Sequence, residues 1–245
     1  MKILVCMSVV PDTTTKISFT DNDTKLNKQG VQFILNPYDE LTITKALELT
    51  ENMGGTVTVI HVGPAENDAV IRKALALGAN NAIRINAEAT DGQFVAEQIA
   101  KYASSQDYDM IMTGRESIDY NGGQVCGLLG ELLNLPSVNV VSTIEINEKK
   151  ATLSRDIDGG KEILTCTLPL VMSAQKDLCE PRIPNMKGIM AARTKPLEVL
   201  EPTDNLAYTS YTRYESPQAK SAVKLISSDN PSELFDLLKR EAKVL

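Results

Sequence analysis

The stretch TVTVIHVGPAENDAVIRKALALGANNAIRI, residues 56–85, decides the fold. Its first part, Thr56–Val62, is rich in β-branched side chains and stops at Gly63-Pro64, which predicts a buried strand. Residues 66–77 then repeat apolar side chains at helical spacing as far as Gly78, and residues 82–85 predict the next strand. Strand, helix and strand in this order predict a parallel β-α-β unit.

The same alternation extends on both sides of this unit. We predict strands at 2–7 and 109–113, and helices at 39–53, 94–102 and 124–135. The chain is therefore predicted to be an α/β protein with a Rossmann-like fold, in which a parallel sheet carries helices on both faces.

Ligands of such sheets bind beyond the carboxyl ends of the strands, near the point where the strand order reverses. This rule directs attention to the loops after Met7, Ile60 and Thr113. We therefore expect a binding site where these loops meet.

From about Val138 the pattern changes. Short strands are predicted at 143–148, 151–155 and 162–167, around a hairpin turn at Asp158-Gly159-Gly160. A further strand at 170–174 leads to residues 180–187, where two prolines predict an extended loop.

The C-terminal part shows no clear period between residues 201 and 229. A last helix is well signalled by Asn230 as N-cap, Pro231 at the first helical position and Glu233 three residues after the cap. We therefore divide the chain into an α/β domain, 1–200, which includes the hairpin and the loop, and a C-terminal arm and helix, 201–245. The arm is expected to dock on its own core or on another chain.

Composition excludes several classes of protein. The formal net charge is −7, from 25 Lys and Arg against 32 Asp and Glu, which argues against a nucleic-acid binder. No apolar stretch approaches the length of a membrane span, and the apolar start of the chain is too brief for a signal peptide. The four cysteines form no close pair, so neither a zinc site nor a CxxC motif is present, and we expect reduced thiols in a cytoplasmic protein.

Two segments are candidates for anion binding. Asn36 is held extended by Pro37, Asp39 is placed to cap the following helix, and the backbone amides at that helix start offer an anion site. The loop 113–127 joins a strand to a helix through several glycines, so free amides there would cradle phosphates. The alternatives are a plain turn before a helix and an ordinary strand-to-helix loop, since the chain contains neither a Walker A loop nor a GxGxxG fingerprint.

Other polar residues suggest little chemistry. His61 is the single histidine, and a structural role is favoured because no Ser or Cys motif accompanies it. Lys187, Arg193 and Lys195 gather basic charge that is either a solvated surface or a means of steering an acidic partner. No paired-carboxylate motif, HExxH or GxSxG occurs, so the chain is predicted to hold a nucleotide rather than transform it.

Five ordered motifs resemble the electron transfer flavoprotein β subunit family over nearly the whole chain. They are the Asn36-Pro37-Tyr38-Asp39 turn, Gly63-Pro64 followed by residues 71–79, residues 114–119 followed by Gln124-Val125, the hairpin and strand 155–162 and 169–173, and Glu180-Pro181-Arg182.

The resemblance implies a heterodimer with a larger α subunit that holds a redox-active FAD. The β subunit would bind AMP as a structural ligand or, in the electron-bifurcating branch of the family, a second FAD to which NADH delivers a hydride. The implied nucleotide contacts are Cys6, Asn36, Pro37, Tyr38, Asp39, Val62, Ser117, Ile118, Asp119, Tyr120, Asn121, Gly122, Gly123, Gln124, Val125, Cys126, Gly127 and Leu128. From the absence of catalytic and metal-binding motifs we predict no catalytic residue and no metal site in this chain.

The resemblance also implies a loop that recognises flavin-dependent dehydrogenases. Its residues here are Ile183, Pro184, Asn185, Met186 and Lys187, and Met186 stands at the anchor position where leucine is usual. A flexible thioether suits an adaptable contact. The C-terminal arm would wrap the α subunit.

The expected function is therefore that of an electron-carrying subunit and not of an enzyme on its own. One alternative is an FAD-binding, NADH-oxidising subunit of an electron-bifurcating complex. A second is a stand-alone adenine-nucleotide-binding protein of the universal-stress type, which would need neither arm nor recognition loop. An ATP pyrophosphatase is disfavoured because its SGGxDS loop does not occur.

Overall fold

The computed structural model describes residues 1–89, 91–204, 207–220 and 222–245. Its strands are β1 Lys2–Cys6, β2 Val9–Pro11, β3 Phe19–Thr20, β4 Lys25–Leu26, β5 Phe33–Leu35, β6 Thr56–Val62, β7 Asn81–Ile85, β8 Met110–Gly114, β9 Ser137–Asn147, β10 Lys150–Ile157, β11 Gly160–Thr167, β12 Leu170–Ala174 and β13 Leu197–Leu200. Its helices are α1 Pro37–Met53, α2 Asp68–Leu77, α3 Gly92–Ala103, α4 Val125–Leu133, α5 Met186–Ala192 and α6 Pro231–Arg240, and a 3₁₀ turn spans Ala65–Asn67.

Nine strands form the central sheet in the order β11-β10-β9-β12-β8-β1-β6-β7-β13. All neighbours from β9 to β13 in this order run parallel, and β10 and β11 form the antiparallel hairpin. The chain adds β6 and β7 on one side of β1 and then returns to place β8 on the other side. The strand order therefore reverses at β1, and the predicted α/β class is confirmed.

Alternate residues of the central strands pack into two separate hydrophobic cores, one on each face of the sheet. Ile3 and Val5 of β1 face the core beneath α1 and α2, whereas Leu4 and Cys6 face the core beneath α3 and α4. Such alternation requires apolar side chains on both faces of the strand, which is why β1 and β6 are nearly continuous apolar runs. Packed layers therefore cover both faces of the central strands.

Several predicted boundaries shift. Helix α1 begins at Pro37 and not at residue 39, because Asn36 is extended and proline suits the first helical position. The predicted extended loop 180–187 is wrong in its last two residues, since α5 begins at Met186, where the Asn185 side chain accepts a hydrogen bond from the amide of Gly188.

Some elements were not predicted at all. The pairs β2–β5 and β3–β4 are two or three residues long and carry too few residues to show a period. Strand β13 joins the sheet only as an edge strand beside β7, so its formation depends on a partner distant in sequence.

The C-terminal residues make few buried contacts. Helix α6 has its predicted start after Asn230, and it contains no buried residue. Within the described ranges, no helix is both long and apolar enough to cross a lipid bilayer.

Candidate functional site

A cavity of about 670 Å³ opens at the carboxyl ends of β8, β1 and β6, at the point where the strand order reverses. Its volume lies within the range of small-molecule and cofactor sites. The strand ends contribute Met7, Gly63 and Gly114 to its wall. The structure therefore places a cavity where the three strand-end loops were expected to meet.

Asp39 joins three segments beside this cavity. Its carboxylate accepts hydrogen bonds from the amide (2.7 Å) and the hydroxyl (2.8 Å) of Ser8, and from the amide of Gly114 (3.0 Å). Burial raises the pKa of Asp39 to about 6, while these hydrogen bonds act in the opposite direction. The prediction that Asp39 caps α1 is wrong, because the carboxylate bonds to the ends of β1 and β8 instead.

Gly114 is required by the same arrangement. A Cβ at this position would lie 2.3 Å from the Asp39 carboxylate and 2.8 Å from Cβ of Tyr38. Glycine therefore lets the end of β8 approach the first turn of α1 closely enough to donate its amide to Asp39.

Asn36 links the two candidate anion-binding segments. Its side-chain amide donates to the carbonyl of Glu116 at 2.8 Å, across 80 residues of sequence. The loop itself is closed by a hydrogen bond from the Ser117 amide to the carbonyl of Gly122 at 3.1 Å. The side-chain oxygen of Asn36 is buried, and it has no hydrogen-bond partner among the described residues.

The start of α4 supplies free donors at this loop. Its N-cap position is Gln124, and no side chain of the described part of the molecule caps it. The first amides of a helix have no partner within the helix, so those of Val125, Cys126 and Gly127 are available to an anion. Val125 lines the cavity.

The cavity wall is acidic. Of the described residues that line it, Lys28 is the one cation, and the carboxylates are those of Asp39, Glu66, Glu88, Asp91, Glu116 and Asp119. A phosphate bound here would therefore depend on backbone amides and the helix dipole rather than on a cluster of basic side chains.

His61 lines the cavity but is fully engaged. Its Nδ1 lies 2.9 Å from the carbonyl of Met7, which can only accept, so Nδ1 carries the proton. Nε2 then accepts from the side-chain amide of Asn67 at 2.9 Å. Burial lowers the pKa of His61 to about 4, so the ring is neutral at physiological pH, as expected of a structural histidine.

Comparison with known proteins identifies relatives over the full chain. Residues 23–205 match the model of the electron transfer flavoprotein domain. The electron transfer flavoprotein subunit beta of Bacillus subtilis (strain 168) is 36% identical over 260 residues, which cover 100% of each chain. The protein of the same name from Syntrophomonas wolfei is 33% identical, covering 100% of this chain and 98% of the relative, and the mitochondrial one from Oryza sativa subsp. japonica is 31% identical over 100% of both.

The chain belongs to the electron transfer flavoprotein β subunit family. The resemblance found in the five sequence motifs is thereby confirmed. The hairpin β10–β11 and strand β12 carry the fourth motif, and β10 pairs with β11 along its whole length without a shift in register.

The residues that the family resemblance predicted as nucleotide contacts fall into two groups. Half of them line the cavity: Cys6, Asn36, Asp39, Val62, Ser117, Asp119, Tyr120, Gly122 and Val125. The others lie beside it, in the first turn of α1, in the loop before α4 or within α4: Pro37, Tyr38, Ile118, Asn121, Gly123, Gln124, Cys126, Gly127 and Leu128.

Other lining residues were missed. Leu26, Lys28, Val31 and Phe33 come from the short hairpins after β1, which carry no sequence signal strong enough to place them. Tyr211 comes from the C-terminal part of the chain. By contrast, the rule on strand ends was sufficient to find Met7, Ser8, Thr113 and Gly114.

Two polar side chains fix the backbone in and beside the segment predicted to recognise dehydrogenases. Arg182 forms two hydrogen bonds of 2.6 Å with the carboxylate of Glu51, and Asn185 caps α5. Ile183, which lies between Arg182 and Asn185, is 91% exposed, and Met186, which follows Asn185, is 74% exposed. The segment thus presents apolar side chains on a fixed backbone.

The basic cluster near this segment is not one surface. The ammonium of Lys195 donates to the carbonyls of Leu75 (2.9 Å), Gly78 (3.1 Å) and Ala79 (2.6 Å), so it caps the C-terminus of α2. Of the three basic residues, Lys187 and Arg193 are exposed, whereas Lys195 is partly buried.

Proposed function

We propose that this chain is the β subunit of a heterodimeric electron transfer flavoprotein. It binds an adenine nucleotide at the cavity and, together with an α subunit that contains FAD, carries electrons between flavin-dependent dehydrogenases and an acceptor. The observation that carries the proposal is the cavity at the reversal of strand order, with the uncapped start of α4 at its edge, in a chain of this family.

The cavity residues fit a nucleotide. Amides of Val125, Cys126 and Gly127 would hold a phosphate at the start of α4. The buried side-chain oxygen of Asn36 would accept a hydrogen bond from a hydroxyl or amino group of the ligand. Carboxylates such as Glu88 would accept from ribose hydroxyls.

We propose AMP as the ligand of this chain. The AMP would have a structural role, because it would help to fix the geometry of the complex around the flavin of the α subunit. A flavin, when bound, supplies the one- and two-electron chemistry, and the protein supplies its binding and electrostatics. The described residues include no group of three or more His, Cys, Asp or Glu side chains arranged to hold a metal ion.

An FAD in this cavity, with NADH as its reductant in a bifurcating complex, is the second candidate. The observation that favours it is the pair of tyrosines at the mouth, Tyr120 and Tyr211, which would stack on a flavin ring as well as on adenine.

Counting released cofactors separates the candidates. The heterodimer is purified, denatured, and its FAD and AMP are quantified per complex. One FAD with one AMP supports the electron carrier, and two FAD support the bifurcating subunit. A complex without any adenine nucleotide beyond the FAD of the α subunit would contradict the proposed site.

A stand-alone stress-type protein is tested by expressing the chain by itself. A stable monomer that binds ATP without an α subunit would favour that alternative. Exposed apolar side chains on the arm argue against it, since Val223 is 81%, Leu225 89% and Phe235 64% exposed in the single chain. We propose the cytoplasm as the location, because all four cysteines are free thiols.

We further propose that the arm beyond Glu215 docks on the α subunit. Truncation after Glu215 should release the α subunit while the α/β domain stays folded, and truncation after Leu200 should do the same. Gel filtration of the co-expressed chains measures the release. An unchanged heterodimer after either truncation would contradict the proposal that the arm docks on the α subunit.

We also propose that Met186 anchors the dehydrogenase. Met186→Ala should raise the KM for the dehydrogenase about tenfold, as for a central apolar contact, with flavin content unchanged. Ile163→Ala is the matched control, since Ile163 is 71% exposed but lies on β11, the edge strand at the other end of the sheet from β13. Equal turnover in Met186→Ala and the unmodified protein would show that the anchor is elsewhere.

A further inference from the structure

The segment 207–214, called the strap here, crosses the mouth of the cavity. Of the described residues beyond Leu200, Tyr211 is the one that lines the cavity. The strap therefore brings an aromatic side chain from the C-terminal part of the chain to a site otherwise built from the α/β domain.

One carboxylate fastens the first half of the strap. An oxygen of Asp91 accepts the amides of Tyr208 at 2.6 Å and Thr209 at 2.9 Å. The other oxygen of Asp91 accepts the amide of Phe94 at 2.8 Å and so caps α3. Asp91 itself lines the cavity, so the fastening point lies at the site.

A stack of three rings holds the second half. Tyr211 stacks on Tyr214 with centroids 5.2 Å apart, and Tyr214 stacks on Phe19 at 4.8 Å with planes only 8° apart. The amide of Tyr214 also donates to the carbonyl of Asp23 at 2.7 Å. The ring of Tyr211 is thus positioned from both sides along the chain.

A second tyrosine stands at the same mouth. Tyr120 lines the cavity from the loop before α4, and its ring packs so closely on Gly122 that a Cβ there would lie 2.0 Å from it. Burial raises the pKa of Tyr120, and the charge of Asp119 adds to this. Tyr120 remains 47% and Tyr211 57% exposed.

Two half-exposed rings fixed at the mouth of a cofactor-sized cavity provide stacking surfaces for a flat heteroaromatic group. We propose that Tyr211 is a further nucleotide-binding residue, which the strap carries across the cavity so that it covers the ring system of the bound nucleotide opposite Tyr120. This inference rests on the proposed function, since it names a contact within the same site.

The test uses the heterodimer, stripped of its bound nucleotide, with AMP as the probe in a calorimetric titration. Tyr211→Ala should weaken AMP binding about tenfold, the size of a lost base–aromatic stack. Tyr211→Phe keeps the ring and should bind within about twofold of the unmodified protein. Asp91→Asn keeps a good N-cap for α3 but loses the acceptor for the strap amides, so it should weaken AMP as Tyr211→Ala does.

Trypsin provides a second measurement that requires no variant. Arg213 lies exposed within the strap, and Lys149 lies exposed on the distant turn between β9 and β10. AMP at ten times its Kd should slow cleavage after Arg213 by up to about elevenfold and leave cleavage after Lys149 unchanged. The same experiment with FAD shows whether the larger ring system is covered in the same way.

The outcomes separate the two proposals. AMP binding that is equal in Tyr211→Ala and the unmodified protein, or AMP binding without protection of Arg213, would overturn the role of Tyr211 and leave the nucleotide site intact. If the unmodified heterodimer bound neither AMP nor FAD at this site, the proposed function would fail, and this contact with it.

Discussion

Replacement of Ser8 by alanine tests the carboxylate that joins the strand ends at the site. The hydroxyl of Ser8 donates to Asp39 at 2.8 Å, and it is one of the hydrogen bonds that oppose the effect of burial on the Asp39 pKa. Removing it should raise this pKa further above about 6. The cost of the substitution should therefore depend on pH.

The magnitude follows from the charge on the acceptor. Above pH 7 the carboxylate is ionised, and a hydrogen bond to a charged group is worth about 1.5–3 kcal/mol. Below pH 5 it is protonated, and a neutral hydrogen bond is worth about 0.5–1.5 kcal/mol. We therefore expect the cost of Ser8→Ala in the free energy of unfolding to rise by about 1–1.5 kcal/mol across this interval.

The sign can be checked in the unmodified protein. Because the folded-state pKa of Asp39 is raised from 3.8 to about 6, its contribution to stability is fully present below 3.8 and is lost as the pH rises through 6. That loss is about 3 kcal/mol. Ser8→Ala should deepen the loss and move it to higher pH.

The assay is urea unfolding of the nucleotide-free chain at several pH values between 4.5 and 8, at one protein concentration. Ser142→Ala is the matched control, since its buried hydroxyl donates to the neutral carbonyl of Ser154 at 3.2 Å. Its cost should not change with pH. If the cost of Ser8→Ala were equally flat, Asp39 would not titrate in this range and the electrostatic account of the site would be refuted.

Three further predictions concern the surroundings of the site. Lys195→Met should lower the free energy of unfolding by about 2–3 kcal/mol through loss of charged hydrogen bonds at a helix C-terminus. Arg193→Met, at an exposed position two residues earlier, should change it by less than about 0.5 kcal/mol in urea unfolding. Equal effects would contradict the capping role. Gly114→Ala should lower the free energy of unfolding by about 3 kcal/mol or more, because the new methyl group collides with the Asp39 carboxylate. The same substitution should abolish AMP binding in calorimetry. Normal binding would show that the strand end is free to move. The imidazole of His61 should titrate by NMR with a pKa of about 4. Its low pKa should reduce the free energy of unfolding by up to about 3 kcal/mol as the pH falls from 6.5 towards 4. An ordinary titration near 6.5 would place the ring in solvent.

Much of the fold could be predicted because its signals are local. Strand β6 has the predicted bounds, and α2 and β7 follow where the repeat of apolar side chains placed them. The elements that escaped prediction, such as β13 and the short strand pairs after β1, are those whose hydrogen-bond partners are remote or whose length is too small for a period.

The candidate site was predictable in position but less so in its contacts. Residues of the Asn36 turn and of the loop before α4 were expected at the strand ends, and Asn36 does reach the carbonyl of Glu116. The tyrosine of the strap could not be foreseen, since no sequence pattern ties Tyr211 to a site built from residues more than 80 positions earlier.

The sequence by itself determined the order of the main strands and helices, and through that order the edge of the sheet at which the cavity opens, because periodicity and strand connection are properties of neighbouring residues. Only the tertiary structure decided what Asp39 and Lys195 do. Asp39 bonds to Ser8 and Gly114 across 31 and 75 residues, and Lys195 caps a helix across 116. A short polar side chain bonds to whatever donor or acceptor the packed core brings within about 3 Å, and that is fixed by the arrangement of distant segments.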